Sequence, residues 1–301
     1  GGIVPDRSHG YCLDDNARAL MLMNLLDAAM PAGERMRLSL VYAAFVQSAW
    51  NPDLGRFRNF MGYGRDWLED VGSEDSNGRA IWALGQTCER ASDPGLSEWA
   101  LQLFERVRPV ASADLAPRAI AFAMLGACAV LRVYPEHGPS RQLVERGGDV
   151  LMRLLGAGRR PDWAWFEAVL GYDNPRLSQA LIEAAVALGR SDWIEAGLDT
   201  LRWICARQVS QSGHFRPIGS ESFHKVHASL PFDQQPLEAQ AAIEASRAAW
   251  FATGDPFWPE HAMAAWRWFF GGNDRGVVLA DIVSGRCRDG ITPRGANTNC
   301  G

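Results

Sequence analysis

Lysine is nearly absent from the sequence: Lys225 is the only one, and the other basic residues are arginines dispersed along the chain. Because the net charge is −5 and no basic cluster stands out, we expect no nucleic-acid partner. Long apolar runs are also missing, since no stretch approaches the roughly 18 uninterrupted apolar residues of a membrane-spanning helix. We therefore expect no membrane segment either.

Motifs for metals and cofactors are missing as well. The six cysteines show no C-x-x-C spacing, and the only close pair of histidines, His224 and His227, has no third ligand nearby in the sequence. The chain contains no P-loop, no G-x-S-x-G and no G-x-G-x-x-G before a helix. The sequence thus predicts neither a metal site nor a cofactor.

Cysteine usage indicates a reducing, cytoplasmic setting. Cys88, Cys128 and Cys205 fall within helical apolar patterns, where a free cysteine behaves as a small hydrophobic residue. The alternative is a disulfide between Cys287 and Cys300. The chain also begins without an initiator methionine and stops directly after a loop, which we interpret as a piece of a longer protein.

Helical periodicity dominates the chain, and few segments alternate with the period of two that strands require. The pattern predicts ten helices, at 14–30, 34–50, 75–91, 95–109, 115–134, 140–157, 174–190, 192–209, 235–253 and 257–270. Short polar connections within pairs favour antiparallel neighbours, whereas long loops at 51–73, 158–173 and 210–234 separate the pairs. The Gly-rich tail, 271–301, is expected to form a small hairpin.

No Pro-, Ser- and Gly-rich linker divides the chain, so the sequence predicts one domain over residues 1–301. Its fold class is predicted to be all-α. Ten helices make five hairpins, and a sixth would close an (α/α)6 toroid, a ring whose inner helices start at one mouth. The missing helices would lie at the chain ends, so the ring is either complete or incomplete there.

A polar cluster precedes an Ala/Leu-rich amphipathic helix four times. The copies are Asp14-Asp15-Asn16-Ala17-Arg18, Glu74-Asp75-Ser76-Asn77-Gly78-Arg79, Tyr172-Asp173-Asn174-Pro175-Arg176 and Phe232-Asp233-Gln234-Gln235-Pro236-Leu237-Glu238. Their spacing of about 60, 100 and 60 residues corresponds to one or two helical hairpins each time. If the hairpins close into a ring, all four clusters lie at one mouth, where carboxylates, amides and Trp side chains are typical of a carbohydrate site.

The alternative for each cluster is a helix N-cap, which accepts a hydrogen bond from the first turn. A cap needs one polar residue, whereas these clusters supply several. Adjacent like charges, such as those of Asp14 and Asp15, are costly unless something uses them. We expect Arg18, Arg79 and Arg176 each to pair with one carboxylate and to leave the other one able to titrate.

The densest aromatic and acidic segment contains Trp163, Trp165, Phe166 and Glu167. An indole face suits the apolar face of a pyranose, so Trp163 and Trp165 are predicted to stack on a sugar. Glu167 follows the aromatic run, where exclusion of water favours the protonated carboxyl that a general acid needs. The alternative for Glu167 is a hydrogen-bonded structural carboxylate.

These observations define the predicted site. Its catalytic candidates are Glu167, Asp75, Asp15 and Asp233, and its substrate-binding candidates are Asp14, Arg18, Glu74, Arg79, Trp163, Trp165, Asp173, Asn174, Gln234, Gln235 and Glu238. A single cavity is expected to be lined by Asp15, Glu74, Asp75, Trp165, Glu167, Asp173, Asp233 and Gln234.

The motifs also carry a resemblance. Together with Gly10-Tyr11-Cys12-Leu13, Trp165-Phe166-Glu167, Phe270-Gly271-Gly272-Asn273-Asp274 and Asp289-Gly290, the four clusters resemble a bacterial helical domain. That domain is found fused to, or encoded beside, family-4 retaining glycosyltransferases. The resemblance spans nearly the whole chain and implies a six-hairpin glycosidase-like toroid with a glycosyltransferase as partner or fused domain. The Rossmann-type halves of the transferase itself are absent, so transferase activity is not implied.

The sequence favours an enzyme that cleaves a glycosidic bond of an oligosaccharide or polysaccharide with a carboxylate pair, by hydrolysis or phosphorolysis. Either Glu167 or Asp75 would protonate the leaving oxygen. A second carboxylate, from Asp15, Asp173 or Asp233, would activate water or phosphate. Inversion is favoured by analogy with other toroid glycosidases.

Two alternatives stay open. One is a non-catalytic sugar-binding or scaffolding domain that serves a glycosyltransferase. The other is a sugar epimerase, isomerase or lyase on the same fold. We rank this last function lowest because no histidine lies in a cluster at a helix start, and such epimerases use histidine to carry protons.

Overall fold

The computed structural model describes residues 6–26, 29–107 and 116–300, and for residues 298–300 the backbone alone. Within these ranges lie ten α-helices: α1 (Leu13–Met23), α2 (Ala32–Ala49), α3 (Glu74–Arg90), α4 (Pro94–Val107), α5 (Pro117–Val133), α6 (Gly138–Gly158), α7 (Pro175–Leu188), α8 (Ser191–Arg207), α9 (Pro236–Thr253) and α10 (Phe257–Trp268). The predicted all-α class is confirmed.

Three short antiparallel strand pairs accompany the helices. They join β1 (Tyr11–Cys12) to β4 (Phe60–Met61), β2 (Trp50–Asn51) to β3 (Arg56–Phe57), and β5 (Arg288–Thr292) to β6 (Gly295–Cys300). The last pair is the small hairpin that the Gly-rich tail predicted. None of the helices in the described ranges has the length and apolar character needed to cross a bilayer.

The predicted end of the first helix is wrong, because α1 ends at Met23 and not at residue 30. The side chain of Asn24 donates a buried hydrogen bond to Thr87 Oγ1 of α3 at 2.9 Å. Asparagine is a weak helix former, and this tertiary contact fixes it at the helix end. Residues 27–28, 108–109 and 115, which the predicted helices include, lie outside the described ranges.

Three cysteines, Cys12, Cys88 and Cys205, are unpaired thiols. Burial raises the pKa of Cys205 to about 12, so this thiol is inert at neutral pH. The disulfide alternative concerns Cys300, whose side chain lies outside the described part of the chain. That alternative therefore stays a prediction.

Contacts divide the chain into two compact units. We call residues 6–150 the N-terminal unit and residues 151–300 the C-terminal unit. The expectation of a single domain over 1–301 stays a prediction.

In the N-terminal unit, α3 packs against α1, α4 and, most extensively, α5. Two glycines allow α3 and α5 to approach closely. A Cβ atom on Gly85 would lie 2.0 Å from the backbone oxygen of Gly126, and one on Gly126 would lie 2.5 Å from that of Ile81. Both helices are consequently buried on nearly every face, which explains their small and apolar sequences.

In the C-terminal unit, α7 packs against α8 and α9, and α9 packs against α10. Short turns end α7 and α9, where Gly189 and Gly254 adopt the left-handed conformation at φ 70° and 69°. Helices joined by short turns run antiparallel, so the starts of α7 and α9 lie at the same end as the ends of α8 and α10. The long segments 159–174, 208–235 and 269–300 meet at this end, which we call the loop end.

A hydrophobic core lies beneath the loop end. It joins α9 and α10 to the long segments and consists of Phe215, Ala239, Ala242, Ala265, Trp268, Leu279 and Ile291. Because apolar residues from the loops contribute to this core, polar side chains that alternate with them are held in fixed positions. The loop end is thus a packed surface built on buried side chains.

Candidate active site

All four predicted clusters lie at helix starts. The first two occupy the first turns of α1 and α3, and the third and fourth span the starts of α7 and α9. Two of them belong to the N-terminal unit and two to the C-terminal unit. A cavity common to all four stays a prediction.

The first cluster is built around Asp14. Its carboxylate accepts from Arg79 Nε at 2.5 Å and pairs with Arg18 Nη2 at 2.5 Å. Arg79 is buried, and its guanidinium lies 4.2 Å from the centroid of the Phe122 ring. Asp14 therefore neutralises a buried cation, whereas the adjacent Asp15 is exposed to solvent. As expected for this cluster, one carboxylate, that of Asp14, is paired with arginine and the adjacent one, that of Asp15, is open to solvent.

The second cluster connects the long loop of the N-terminal unit to α3. Asn77 is fully buried, and its side chain accepts from the backbone N–H of Phe57 at 2.8 Å and donates to the carbonyl of Ser73 at 3.0 Å. Glu74 is exposed and accepts from the backbone N–H of Ala116. Asp75 is half-buried. The Asn77 amide thus holds the loop in place. Contact of Glu74 or Asp75 with substrate stays a prediction.

The third cluster contains a buried ion pair. Arg176 Nε donates to Asp173 Oδ1 at 3.1 Å, and Arg176 Nη1 also pairs with Glu244 of α9. Burial alone would lower the pKa of Arg176, but the carboxylates of Glu244 and Asp173 outweigh burial and raise it. Gln179 and Gln240 accept from the remaining guanidinium hydrogens at 2.8 and 2.5 Å. The pair joins α7 to α9, and direct contact of Asp173 with substrate stays a prediction.

A second buried carboxylate, Glu238, binds the segments of the loop end together. It accepts from Asn174 Nδ2 at 2.8 Å, from the backbone N–H of Asn174 at 3.1 Å and from Gln208 Nε2 at 3.3 Å. These residues come from the start of α7, the end of α8 and the first turn of α9. Glu238 and Asn174 were both predicted to bind substrate. In the structure both are buried beneath the surface of the loop end, and their hydrogen bonds stabilise it.

The indoles of Trp163 and Trp165 are buried, not presented as a platform. The ring of Trp165 stacks on Trp203 at 5.5 Å between centroids, and Trp163 meets Trp203 edge-on at 4.9 Å. Arg207 lies over the Trp203 ring at 3.5 Å. The structure therefore corrects the prediction that these two indoles stack on a sugar, because their faces pack against protein.

The aromatic cluster does position Glu167. Trp163 Nε1 donates to the backbone carbonyl of Glu167 at 2.7 Å, which fixes the chain at this residue. The Glu167 residue is half-buried, while Asp233 and Gln235 are exposed on either side of the buried Gln234. At the loop end, Glu167, Asp233 and Gln235 are therefore accessible to a ligand in this structure.

Gln234 of the fourth cluster is fully buried between three partners. Its Oε1 accepts from Trp268 Nε1 at 2.8 Å, and its Nε2 donates to Asp274 Oδ2 at 2.5 Å. Its backbone N–H and carbonyl both pair with Ile291 of β5 at 2.9 Å. Gln234 thereby links α10, the segment after α10 and the C-terminal hairpin.

Asp274 collects donors from several segments. Arg216 donates to Oδ2 from Nε and to Oδ1 from Nη2, both at 2.7 Å, and His214 Nε2 lies 3.0 Å from Oδ1. Burial alone would raise the pKa of Asp274, but hydrogen bonds from Arg216, Gln234 and His214 outweigh it and hold that pKa below its usual value. Asp274 is therefore ionised at neutral pH.

His214 is the functional candidate that sequence analysis missed. Its side chain is 26% exposed, and its Nδ1 lies 3.2 Å from Ser212 Oγ. Phe215 enters the core, so its polar neighbours His214 and Arg216 both point to Asp274. The alternation of polar and apolar residues was the available signal. It was not sufficient because Asp274 lies 60 residues further along the chain.

Together these groups can exchange protons. An imidazole oriented by an ionised carboxylate acts as a base or an acid near neutral pH. Among the described side chains, no group of three or more His, Cys, Asp and Glu residues has the arrangement to hold a metal ion.

No family model matches the chain, and no curated protein matches it by sequence. Solved structures match it over nearly its whole length. A sugar epimerase from a ruminal bacterium is 14% identical with a TM-score of 0.72, covering 98% of this chain and 83% of that one. Cellobiose 2-epimerase from Bacillus thermoamylovorans is 11% identical with a TM-score of 0.74, covering 99% and 84%. The GH76 alpha-mannanase of Bacteroides thetaiotaomicron is 11% identical with a TM-score of 0.62, covering 97% and 80%.

Because the sequence identities to these structures are only 11–14%, the similarity establishes the fold and not the activity. The chain has the all-α, six-hairpin glycosidase-like (α/α)6 toroid fold that the sequence predicted. Closure of the ring by a sixth hairpin stays a prediction, because the described ranges contain ten helices. The predicted connection with glycosyltransferases also stays a prediction.

Proposed function

We propose that this chain is a sugar epimerase or isomerase that moves a proton at the carbon next to a sugar carbonyl. Two of the three similar structures described above are sugar epimerases. The observation that carries the proposal is His214, which Asp274 orients and Gln234 connects to the fourth polar cluster. From the sequence, epimerase activity ranked lowest because no histidine lies in a cluster. His214 lies outside the clusters as well, but it contacts the fourth one through Asp274 and so can serve as the histidine that such a reaction needs.

The reaction needs one group that takes a proton from carbon and one that returns it. In the open-chain sugar the base removes the proton from carbon 2, and the C–H electron pair becomes the second bond between carbons 1 and 2. The carbonyl oxygen takes the second electron pair of its double bond and a proton, which gives an enediol. When a proton returns to the other face of carbon 2, the hydroxyl on carbon 1 gives up its proton and the aldehyde of the epimer forms. When a proton returns to carbon 1, the hydroxyl on carbon 2 gives up its proton and the ketose forms. Substrate and product have the same oxidation state, so no redox partner is consumed.

His214 suits the role of proton carrier, because an imidazole has one nitrogen that donates a hydrogen and one that accepts. Asp274 orients the ring and stabilises the imidazolium that forms when the sugar proton arrives. A second group on the other face of the sugar is also needed. The candidates are Asp233, exposed beside Gln234, and His227 on the same long segment, whose backbone N–H donates to the carbonyl of Ala168.

The proposal is tested by product analysis. The purified protein is incubated with gluco- and manno-configured aldoses and with the corresponding disaccharides, and the products are separated by chromatography. We expect new epimers or ketoses without release of smaller sugars. Release of reducing ends without any epimer would favour a glycosidase instead. Binding without any product would favour the non-catalytic sugar-binding domain.

Glycosidic cleavage is the second candidate, and the accessible carboxylates of the loop end favour it. Glu167 is half-buried and Asp233 is exposed, as a general acid and a second carboxylate would be. One of the similar structures is an alpha-mannanase. In this case Glu167→Gln should abolish release of reducing sugar while the melting temperature is unchanged. A requirement for phosphate would identify phosphorolysis. A glycosyltransferase partner and a cytoplasmic location remain predictions.

A further inference from the structure

The amide of Gln234 has one possible orientation. The indole Nε1–H of Trp268 can only donate, so the Gln234 atom that it meets at 2.8 Å is the oxygen. The amide nitrogen then faces Asp274 Oδ2 at 2.5 Å. The backbone of Gln234 is fixed too, because a Cβ atom on Gly290 would lie 2.1 Å from its carbonyl oxygen. Gln234 is therefore a rigid donor to Asp274.

Asp274 has two donors at each oxygen. Oδ1 accepts from Arg216 Nη2 at 2.7 Å and faces His214 Nε2 at 3.0 Å, and Oδ2 accepts from Arg216 Nε at 2.7 Å and from Gln234 Nε2 at 2.5 Å. The two parallel hydrogen bonds from the Arg216 guanidinium, which cannot accept, keep Asp274 ionised. An ionised carboxylate only accepts, so the hydrogen between Asp274 and His214 belongs to Nε2.

The other ring nitrogen of His214 has an adaptable neighbour. Its Nδ1 lies 3.2 Å from Ser212 Oγ, an exposed hydroxyl that rotates to donate or accept. On the opposite side of the ring, Nε2 faces Asp274, which Arg216 holds in place. Neutral His214 therefore carries its hydrogen on Nε2 and its lone pair on Nδ1.

We propose that Gln234 is a positioning residue that completes the donor set of Asp274 and thereby fixes His214 as the Nε2–H tautomer, with Nδ1 as the nitrogen that exchanges protons with the sugar. Without the Gln234 donor, Oδ2 of Asp274 has an unused acceptor position and the carboxylate can turn. The imidazole then loses its fixed partner. The exchange of protons with a sugar rests on the proposed function, whereas the tautomer of His214 does not.

The tautomer is measured directly by multiple-bond ¹H–¹⁵N correlation spectra of the ¹⁵N-labelled protein, in which protonated and unprotonated ring nitrogens have separate shifts. His214 is assigned by the resonance that disappears in His214→Gln. In the wild-type protein we expect the Nε2–H form to dominate at a pH where the ring is neutral. A dominant Nδ1–H form would overturn the proposal.

The Gln234→Met variant keeps the side-chain length but cannot donate. We expect its ratio of Nε2–H to Nδ1–H to fall about fivefold, the effect of roughly one ordinary hydrogen bond. The matched control is Gln235→Met, which changes the exposed neighbouring amide and should leave the ratio unchanged. If the buried methionine prevents folding, Gln234→Leu replaces it, since leucine is smaller and also cannot donate to Asp274.

A folded Gln234 variant with the wild-type tautomer ratio would show that Gln234 does not position His214. Activity provides a separate readout: kcat should fall with KM nearly unchanged, because Gln234 is buried and does not contact the sugar. If the wild-type protein turns over no sugar, the proposed function fails while the tautomer measurement still decides the role of Gln234.

Discussion

The two units each bury an arginine near the start of a helix, yet they surround it differently. In the N-terminal unit Arg79 pairs with Asp14, which also pairs with Arg18 and keeps part of its surface open. In the C-terminal unit Arg176 pairs with Asp173 and Glu244, and Asp173 is fully buried. The same sequence motif thus produces a partly open ion pair in one unit and a buried one in the other.

The comparison distinguishes residues that fix the helices from residues proposed to react. In both units the arginine fixes a helix start, so the recurrence of the motif follows from a structural need. The imidazole lies outside the motif, on the segment after α8, and its carboxylate partner Asp274 follows α10. The proton exchange that we propose at the loop end therefore relies on residues of the long segments, whereas the repeated clusters hold those segments in place.

The largest expected effect is on stability, and it compares the two arginines. Arg176→Met removes the cation that pairs with the fully buried Asp173 and the partly exposed Glu244, and it should cost about 3–5 kcal/mol of unfolding free energy. Arg79→Met should cost about 1–3 kcal/mol, because Asp14 retains Arg18 and contact with water. Urea denaturation followed by fluorescence measures both. Equal losses in the two variants would contradict the contrast between the units.

The next largest effect on stability distinguishes the two adjacent carboxylates of the first cluster. Asp14→Asn removes the charge that neutralises Arg79 and should cost about 1–3 kcal/mol. Asp15→Asn changes an exposed side chain and should alter the unfolding free energy by less than about 0.5 kcal/mol. The same denaturation experiment serves as the test. A large loss in Asp15→Asn would mean that Asp15 has a structural role that its exposure does not suggest.

The smallest effect is a pH dependence. The folded pKa of Asp274 lies below its usual value, so its contribution to stability is fully present above about pH 4, near the unfolded pKa. That contribution is lost as the pH falls through the folded pKa. The difference in melting temperature between the wild type and Asp274→Asn should therefore shrink below about pH 4. A difference that stays constant down to pH 2 would show that Asp274 contributes through its shape and not its charge.

The sequence was sufficient for the helices because their signal is local. Apolar residues at helical spacing and short Gly turns identified all ten helices in the described ranges. The end of α1 was missed, since it depends on a hydrogen bond from Asn24 to Thr87, 63 residues away. Periodicity carries no information about such a contact.

The candidate site was predictable only in part. The clusters gave the positions of Asp14, Asp15 and Gln234 at helix starts, because polar residues there have a local cause. Burial of Trp165 could not be deduced, since its position within a long loop suits an open platform equally well. His214 was missed because its significance comes from a carboxylate on a distant segment.

The central claim is that His214 moves a proton at the sugar carbon, and solvent exchange tests it most directly. An aldose that the protein converts is incubated in D₂O, and loss of the carbon-2 proton signal is followed by NMR. The wild type should exchange this proton. His214→Gln should exchange it at least about 100-fold more slowly, the usual size of a general-base contribution. The control His224→Asn, an exposed position on the same segment where asparagine tolerates the positive φ of 62°, should keep the wild-type rate. A wild-type protein that converts or cleaves sugars without this exchange, or a His214→Gln variant that exchanges at the wild-type rate, would contradict the account.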